Sequence, residues 1–203
     1  MYFLEDIGIR SVARPGKAPI KPLAIFTALF CLLACSQCKP KNPEAVAQNA
    51  ADLLLGQPAP DFTLPAQDGL PVSPKDFAGK WVVLYFYPKD FTGGCTIEAH
   101  NFQRDSAAYA AADAVILGTS IDTRDSHEKF CTKEGLTFKL LADTAAEVST
   151  RYGSVNSILG KKLSARNTFL IDPQGKVAKV FRGVKPGTHS EEVLAALAAL
   201  RKP

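Results

Sequence analysis

The chemistry that this chain could perform depends first on its five cysteines, and one of them has an unusual position. Cys95 follows a strand-like apolar run at 81–87 and the pair Gly93-Gly94, and it stands at the first turn of a predicted helix. Free N–H groups and the positive end of the helix macrodipole stabilise an anion there. Because the thiolate is the nucleophilic form of cysteine, the pattern favours a reactive Cys95 over one that simply packs.

The composition limits the other classes of function. Five cysteines in 203 residues are too few for a disulfide scaffold, and their odd number leaves at least one without an intramolecular partner. The net charge is +4, and no run of five like charges occurs, so nucleic acid is not indicated as a partner. Three scattered histidines do not make a metal-site pattern, and we expect neither a metal nor a cofactor.

The N-terminus has the pattern of an export signal. Basic residues precede an uncharged run at 23–34, which is too short to cross a bilayer but fits the core of a signal peptide. The run ends in Leu32-Leu-Ala-Cys35, which resembles the lipobox of bacterial lipoproteins, whose cysteine becomes lipidated. We therefore expect a signal peptide at 1–34, a tether at 35–56, and an exported bacterial protein, either periplasmic or anchored in a membrane through Cys35.

Other interpretations of the N-terminus stay open. An ordinary cleaved signal, a short uncleaved anchor and a misassigned translation start each explain part of the pattern. Cys35 and Cys38 also have C-x-x-C spacing, but a redox motif of that kind needs a strand before it and a helix after it, and a zinc site needs a second ligand pair. The sequence indicates neither, so Cys38 receives no role.

From Gln57 onward, strand-like and helix-like stretches alternate. Strands are predicted at 81–87 and 114–121, with hairpins around the turns at 67–69 and 172–175. Helices are predicted at 95–111, at 125–133 with Asp125 or Ser126 as the N-cap, at 145–152 and at 189–200. This order predicts one α/β domain at 57–203, with an N-terminal β-hairpin, a mixed central sheet that is antiparallel at one edge, and helices on both faces. A thioredoxin-like fold satisfies it.

The residues around Cys95 carry a family resemblance. Pro88, Thr92 and Cys95 match the P-x-x-x-T-x-x-C motif of peroxiredoxins. Further segments resemble the peroxiredoxin Q group, also called bacterioferritin comigratory protein: Ala59-Pro-Asp-Phe-Thr-Leu64, Val83-Leu-Tyr-Phe-Tyr-Pro-Lys-Asp90, Cys95-Thr-Ile-Glu-Ala99 and Ser126-His-Glu-Lys-Phe130. The resemblance covers nearly all of residues 57–203, and its motifs fall in the expected order.

The resemblance implies a thiol-dependent peroxidase that reduces hydrogen peroxide and organic hydroperoxides. The Cys95 thiolate would attack the O–O bond and become a sulfenic acid, while the Thr92 hydroxyl would accept and donate hydrogen bonds between thiolate and peroxide. Arg166 matches the family's active-site arginine, which would hold the thiolate and stabilise the leaving oxygen. Pro88 would shape and shield the pocket. The amides of Gly94 and Cys95 would bind the second peroxide oxygen.

The chain departs from the family pattern at two positions. Gly93 stands where many members have proline, which should loosen the loop, and His100 stands where many carry the resolving cysteine. Cys131 matches a subgroup whose resolving cysteine lies on a later helix. A disulfide needs Cα atoms within about 7 Å, and two helices that flank a sheet do not usually place two cysteines so close. We therefore expect the first turn of the Cys95 helix and the Cys131 helix to unwind locally after the sulfenic acid forms. Alternatively, Cys131 packs in the core and an external thiol resolves Cys95.

The remaining expectations concern neighbouring residues, partners and rival functions. Glu98 is interpreted as a charge in the first turn of the helix, and His100 and His127 as surface or structural residues. A thioredoxin-like reductant is implied, extracytoplasmic if the protein is exported, and the protein is expected to be a monomer or weak dimer. A thioredoxin-type oxidoreductase would need a second cysteine at position 98. A lipid-anchored binding or chaperone module without turnover would not need Cys95, Thr92 and Arg166 together.

Overall fold

The computed structural model describes residues 51–158 and 160–201. The predicted signal peptide at 1–34, the roles of Cys35 and Cys38, and most of the tether at 35–56 lie outside the described residues. Within the described ranges, no helix is both long and apolar enough to span a membrane.

A five-stranded mixed sheet forms the centre of the fold, and two small antiparallel hairpins accompany it. In chain order the strands are β1 Leu64–Pro65, β2 Pro71–Val72, β3 Trp81–Phe86, β4 Ala114–Ser120, β5 Lys139–Ala142, β6 Val155–Ile158, β7 Lys161–Ser164, β8 Asn167–Ile171 and β9 Val177–Arg182. The central sheet has the order β5-β4-β3-β8-β9, and the hairpins are β1-β2 and β6-β7. Strands β3, β4 and β5 are parallel, whereas β8 and β9 are antiparallel to their neighbours. The mixed sheet and the N-terminal hairpin agree with the prediction.

The helices are α1 Gly93–Arg104, α2 Ser106–Ala111, α3 Arg124–Glu134, α4 Glu147–Arg151 and α5 His189–Leu200, and a 3₁₀ helix covers Pro74–Phe77. The predicted single helix at 95–111 is therefore divided. Asp105 lies at the break, where its carboxylate accepts hydrogen bonds from Arg104 and from Ser190 of α5. A short polar side chain that bonds outside its own helix favours such an interruption.

The ends of two other helices differ from the prediction. The N-cap of α3 is Thr123, whose hydroxyl accepts a hydrogen bond from the Ser126 amide, so the predicted caps at Asp125 and Ser126 were wrong. The helix predicted at 145–152 is confined to α4. The last helix spans the predicted residues. The β6-β7 hairpin was not predicted, because its sequence lacks the apolar alternation that indicates a strand.

Strand β3 separates two buried clusters, since all six of its residues are buried and alternate residues point to opposite faces. Val83 and Tyr85 join the side chains of α1, α3 and α5 in one cluster. Leu84 and Phe86 join the other cluster, which includes Val148 of α4. Helices therefore cover both faces, as the sequence predicts.

The register of the sheet determines where the reactive residues lie. Asn167 at the start of β8 pairs with Phe86 at the end of β3 in the antiparallel ladder. Arg166 precedes Asn167 directly, and the chain that leaves β3 leads through the loop to α1. The sheet therefore places Arg166 and the start of α1 at the same end of the central strands, where β3 ends and β8 begins.

Candidate active site

Cys95 lies in the first turn of α1, as the sequence predicts. Thr92 is the N-cap residue, with extended backbone angles and no side-chain capping bond, and Gly93 is the first helical residue. Only 1% of the Cys95 surface is exposed. The amides of Gly94 and Cys95 have no acceptor within the helix, because the first turn lacks the preceding carbonyl groups. They can therefore donate to an anion beside the sulfur.

Arg166 joins the cysteine to a carboxylate. Its Nη2 atom donates a hydrogen bond to Cys95 Sγ over 3.2 Å, and its Nη1 atom donates to Glu98 Oε2 over 2.7 Å. A guanidinium is always charged and has a fixed fork of donors, so it can serve both partners at once. Charge-assisted hydrogen bonds of this type are the strong ones in proteins. The geometry therefore places a fixed positive charge and an N–H donor against the sulfur.

Glu98 is part of this site, and its interpretation as a charge in the first turn was wrong. It lies in the second turn of α1, three residues after Cys95 and on the same side of the helix, with 1% of its surface exposed. Burial raises the pKa of Glu98 to about 7, although the Arg166 charge opposes this change. The spacing of three residues from Cys95 places Glu98 on the same side of the helix, but it does not show that this side is buried against Arg166.

Gly94 has a steric role beside the arginine. A Cβ atom at position 94 would lie 2.8 Å from Arg166 Nη2, whereas a Cβ atom at position 93 would meet nothing within 4 Å. Carbon and nitrogen atoms do not approach to 2.8 Å without a displacement, so a side chain at 94 would move the guanidinium away from the sulfur. The two glycines at the start of α1 therefore differ in function.

Thr92 and Pro88 lie in the loop that leads to α1. The Thr92 hydroxyl donates a hydrogen bond to the Lys89 carbonyl over 3.0 Å. Its lone pairs stay available to accept a hydrogen bond, but its proton is engaged, so the predicted donation toward the thiolate is not present in this arrangement. Pro88 is half-buried at the start of the loop and lines a surface cleft with Lys89.

Cys131 lies in α3 and contributes to the same buried cluster as Cys95, and only 7% of its surface is exposed. Both thiols are free. Burial raises the pKa of Cys131 to about 12, with a smaller contribution from the Asp90 carboxylate. In this arrangement Cys131 is a protonated, enclosed thiol, and it needs a movement of α3 before it can act as a nucleophile.

The histidines have structural positions. His127 is buried, and its ring bridges Asp90 Oδ2 at 2.9 Å and the Leu141 carbonyl at 3.2 Å. His100 is exposed and contacts Glu134 of α3 at 3.0 Å. In the described part of the chain, no three His, Cys, Asp or Glu side chains gather as a metal site requires.

Comparisons with known proteins assign this arrangement to a class, the thiol-dependent peroxidases with a thioredoxin-like fold. The chain belongs to the AhpC/TSA family, whose sequence model matches residues 55–180. This range includes both buried cysteines and Arg166.

Individual relatives agree with this assignment. The chain is 41% identical to Peroxiredoxin Bcp of Bacillus subtilis over 70% of its own length and 94% of the relative's. The crystal structure of Peroxidoxin BcpB from Mycobacterium tuberculosis matches with a TM-score of 0.69 and 33% identity, over 73% of this chain and 98% of that one. A structure of Xanthomonas campestris bacterioferritin comigratory protein, described for its alkyl peroxide reduction activity, has a TM-score of 0.66 and 36% identity, over 70% and 92% of the two chains. The protein is a thiol-dependent peroxidase.

Replacing Gly94 by alanine should impair the reaction with peroxide. The new Cβ atom displaces Arg166 from Cys95, and we expect the second-order rate constant for peroxide reduction to fall by roughly tenfold or more. Gly93→Ala is the matched control and should retain the rate within about twofold. Rapid-mixing kinetics with hydrogen peroxide measures both. Equal losses in the two variants would contradict the steric role of Gly94.

Replacing Glu98 by glutamine should change how stability depends on pH. Because the pKa of Glu98 is raised to about 7 in the folded protein, the folded state binds more protons than the unfolded state between its ordinary value of 4.5 and 7. Glu98 therefore costs the native protein stability as the pH rises through this window. The free energy of unfolding of Glu98→Gln, relative to the wild type, should increase by about 1–3 kcal/mol between pH 5 and pH 8. Urea unfolding at both pH values, followed by Trp81 fluorescence, measures the difference, and a constant difference would refute the assignment.

Proposed function

We propose that Cys95 is the residue that attacks the peroxide. The thiolate sulfur attacks the terminal oxygen of the hydroperoxide, an S–O bond forms as the O–O bond breaks, and the sulfur loses two electrons to the departing oxygen. The product at Cys95 is a sulfenic acid, and the leaving alkoxide or hydroxide takes up a proton to become an alcohol or water. The observation that carries this proposal is the 3.2 Å contact between Arg166 and the Cys95 sulfur.

The residues around Cys95 then have separate tasks. Arg166 stabilises the thiolate and the negative charge that develops on the leaving oxygen, while Glu98 holds the guanidinium in place. The Thr92 hydroxyl accepts a hydrogen bond from the peroxide, and the amides of Gly94 and Cys95 donate to it. Pro88 shields the pocket from water. The substrates are hydrogen peroxide and organic hydroperoxides, and the alkyl peroxide reduction described for the Xanthomonas campestris relative supports the second class.

Cys131 is the resolving residue in this proposal. Once α3 opens locally, the Cys131 sulfur attacks the sulfur of the Cys95 sulfenic acid, an S–S bond forms, and water leaves. A thioredoxin-like dithiol partner then reduces the disulfide and is itself oxidised. The deep burial of both thiols in one cluster supports this order of events, because an external thiol cannot reach Cys95 in the closed arrangement. The attack on the peroxide and the formation of the disulfide use residues of one chain, which suits a monomer or weak dimer.

We also propose that the protein is exported and held at a membrane through a lipid on Cys35. The lipobox-like sequence before Cys35 and the apolar run at 23–34 support this localisation. The tether at 35–56 would then allow the peroxidase domain to work close to the lipid surface, where the reductant is an extracytoplasmic protein.

The resolving step is tested by mapping disulfides after one equivalent of hydrogen peroxide, without reductant. The wild type should yield a peptide that links Cys95 and Cys131, in a protein that migrates as a monomer. Cys95→Ser should consume no peroxide, and Cys131→Ser should accumulate Cys95 as sulfenic or over-oxidised acid. A wild type in which Cys95 is over-oxidised while Cys131 stays free would refute the resolving role of Cys131.

The localisation is tested by fractionating bacteria that express the full chain. The wild type should label with a fatty acid analogue and sediment with membranes, whereas Cys35→Ser should lose the label and the membrane association. Cys38→Ser is the matched control and should behave like the wild type. Unlabelled wild-type protein would exclude the lipid anchor.

A further inference from the structure

Phe91 is a strained residue in the loop between β3 and α1. Its φ angle is +60°, in the left-handed region that glycine and asparagine tolerate and that bulky residues rarely adopt. Its side chain is also 47% exposed, an unusual position for a large aromatic ring. Strain of this kind persists only where surrounding contacts hold the residue in place.

The contacts that hold Phe91 come from α3, on both sides of Cys131. The Phe91 ring meets the buried Phe130 ring edge to face, with centroids 5.1 Å apart and planes at 71°. The Lys133 ammonium lies 5.6 Å from the centre of the Phe91 ring. Aromatic pairs and cation–π contacts of this geometry are attractive. The ring therefore joins the active-site loop to the segment of α3 that contains Cys131.

The residue before Phe91 fixes a different part of α3. The buried Asp90 carboxylate is 2.9 Å from His127 Nδ1 and accepts a hydrogen bond from the Ser126 hydroxyl over 2.7 Å. Ser126 and His127 lie near the start of α3, whereas Phe130 and Lys133 lie in its C-terminal half. The active-site loop thus holds the N-terminal half of α3 through a buried polar network, and the C-terminal half through a half-exposed ring. The second attachment is the easier one to break.

We propose that the Phe91 ring is a clamp on the C-terminal half of α3 and sets how often Cys131 becomes free to attack the oxidised Cys95. Phe91 is a positioning residue in this scheme, and the inference rests on the proposed resolving role of Cys131. Release of the ring lets the segment around Cys131 unwind while His127 keeps the start of α3 in place. Release also relieves the strained backbone at Phe91.

The clamp has a chemical consequence, because the Cys95 sulfenic acid has two fates. Attack by Cys131 forms the S–S bond and releases water, whereas a second hydroperoxide molecule transfers an oxygen to the same sulfur, gives a sulfinic acid and leaves as an alcohol or water. A tighter clamp keeps the peroxide-binding arrangement closed for longer and increases the share of sulfinic acid. A looser clamp favours the disulfide.

Thiol labelling of the reduced protein tests the clamp directly. In Phe91→Ala the rate of alkylation of Cys131 should rise about two- to twelvefold, because the loss of one aromatic pair increases the population of the open α3 segment by this factor. Phe91→Asn, which suits a left-handed backbone, removes the ring without strain and should show the same increase. Phe91→Tyr retains the ring and should label like the wild type. Under excess peroxide, both ring-deleted variants should yield less Cys95 sulfinic acid than the wild type.

The matched control is Phe181→Ala on β9, the edge strand farthest from β5 in the central sheet. Phe181 also has an aromatic neighbour, His189, and a lysine over its ring, Lys179 at 5.1 Å, and neither of these contacts comes from α3. Unchanged Cys131 labelling in Phe91→Ala and Phe91→Asn, or an equal increase in Phe181→Ala, would overturn the clamp. If the wild type forms no Cys95–Cys131 bridge, the resolving role fails separately, and the labelling rates still decide whether Phe91 restrains α3.

Discussion

The contact between the Arg166 guanidinium and the Cys95 sulfur is the interaction on which the site depends. The guanidinium serves a buried carboxylate on its other side, so sulfur, cation and carboxylate form one chain of charge-assisted hydrogen bonds. The position of each group in this chain depends on a neighbouring group. Glu98 is tolerated in the core because Arg166 binds it, and Arg166 has room to reach the sulfur because position 94 has no side chain.

The fold produces this contact through the antiparallel pairing of β3 and β8. The register brings Arg166, the residue before β8, to the end of the sheet where β3 stops, and the loop after β3 brings the start of α1 to the same end. The same packing buries both cysteines. A partner protein can reach either thiol only after a local opening, and the loop that leads to Cys95 is also the loop that contacts α3.

Much of this arrangement could be predicted from the sequence, because local patterns carry it. The apolar run of β3 and the glycines before Cys95 indicate the strand and the helix start, whereas Arg166 was predicted only through the resemblance to peroxiredoxins. The role of Glu98 could not be read in the same way, since its burial depends on where the sheet register places Arg166. The break at Asp105 and the N-cap at Thr123 likewise depend on hydrogen bonds that only the tertiary structure defines.

Arg166 and Glu98 should act on Cys95 as one unit, and a double-mutant cycle measures the coupling between them. The quantity is the second-order rate constant for oxidation of Cys95 by hydrogen peroxide in the wild type, Arg166→Gln, Glu98→Gln and the double variant. Loss of Arg166 should lower the rate constant by about 10²-fold or more, and Glu98→Gln by less. The double variant should match Arg166→Gln within about twofold. A double variant whose loss is the full product of the two single losses would contradict this coupling.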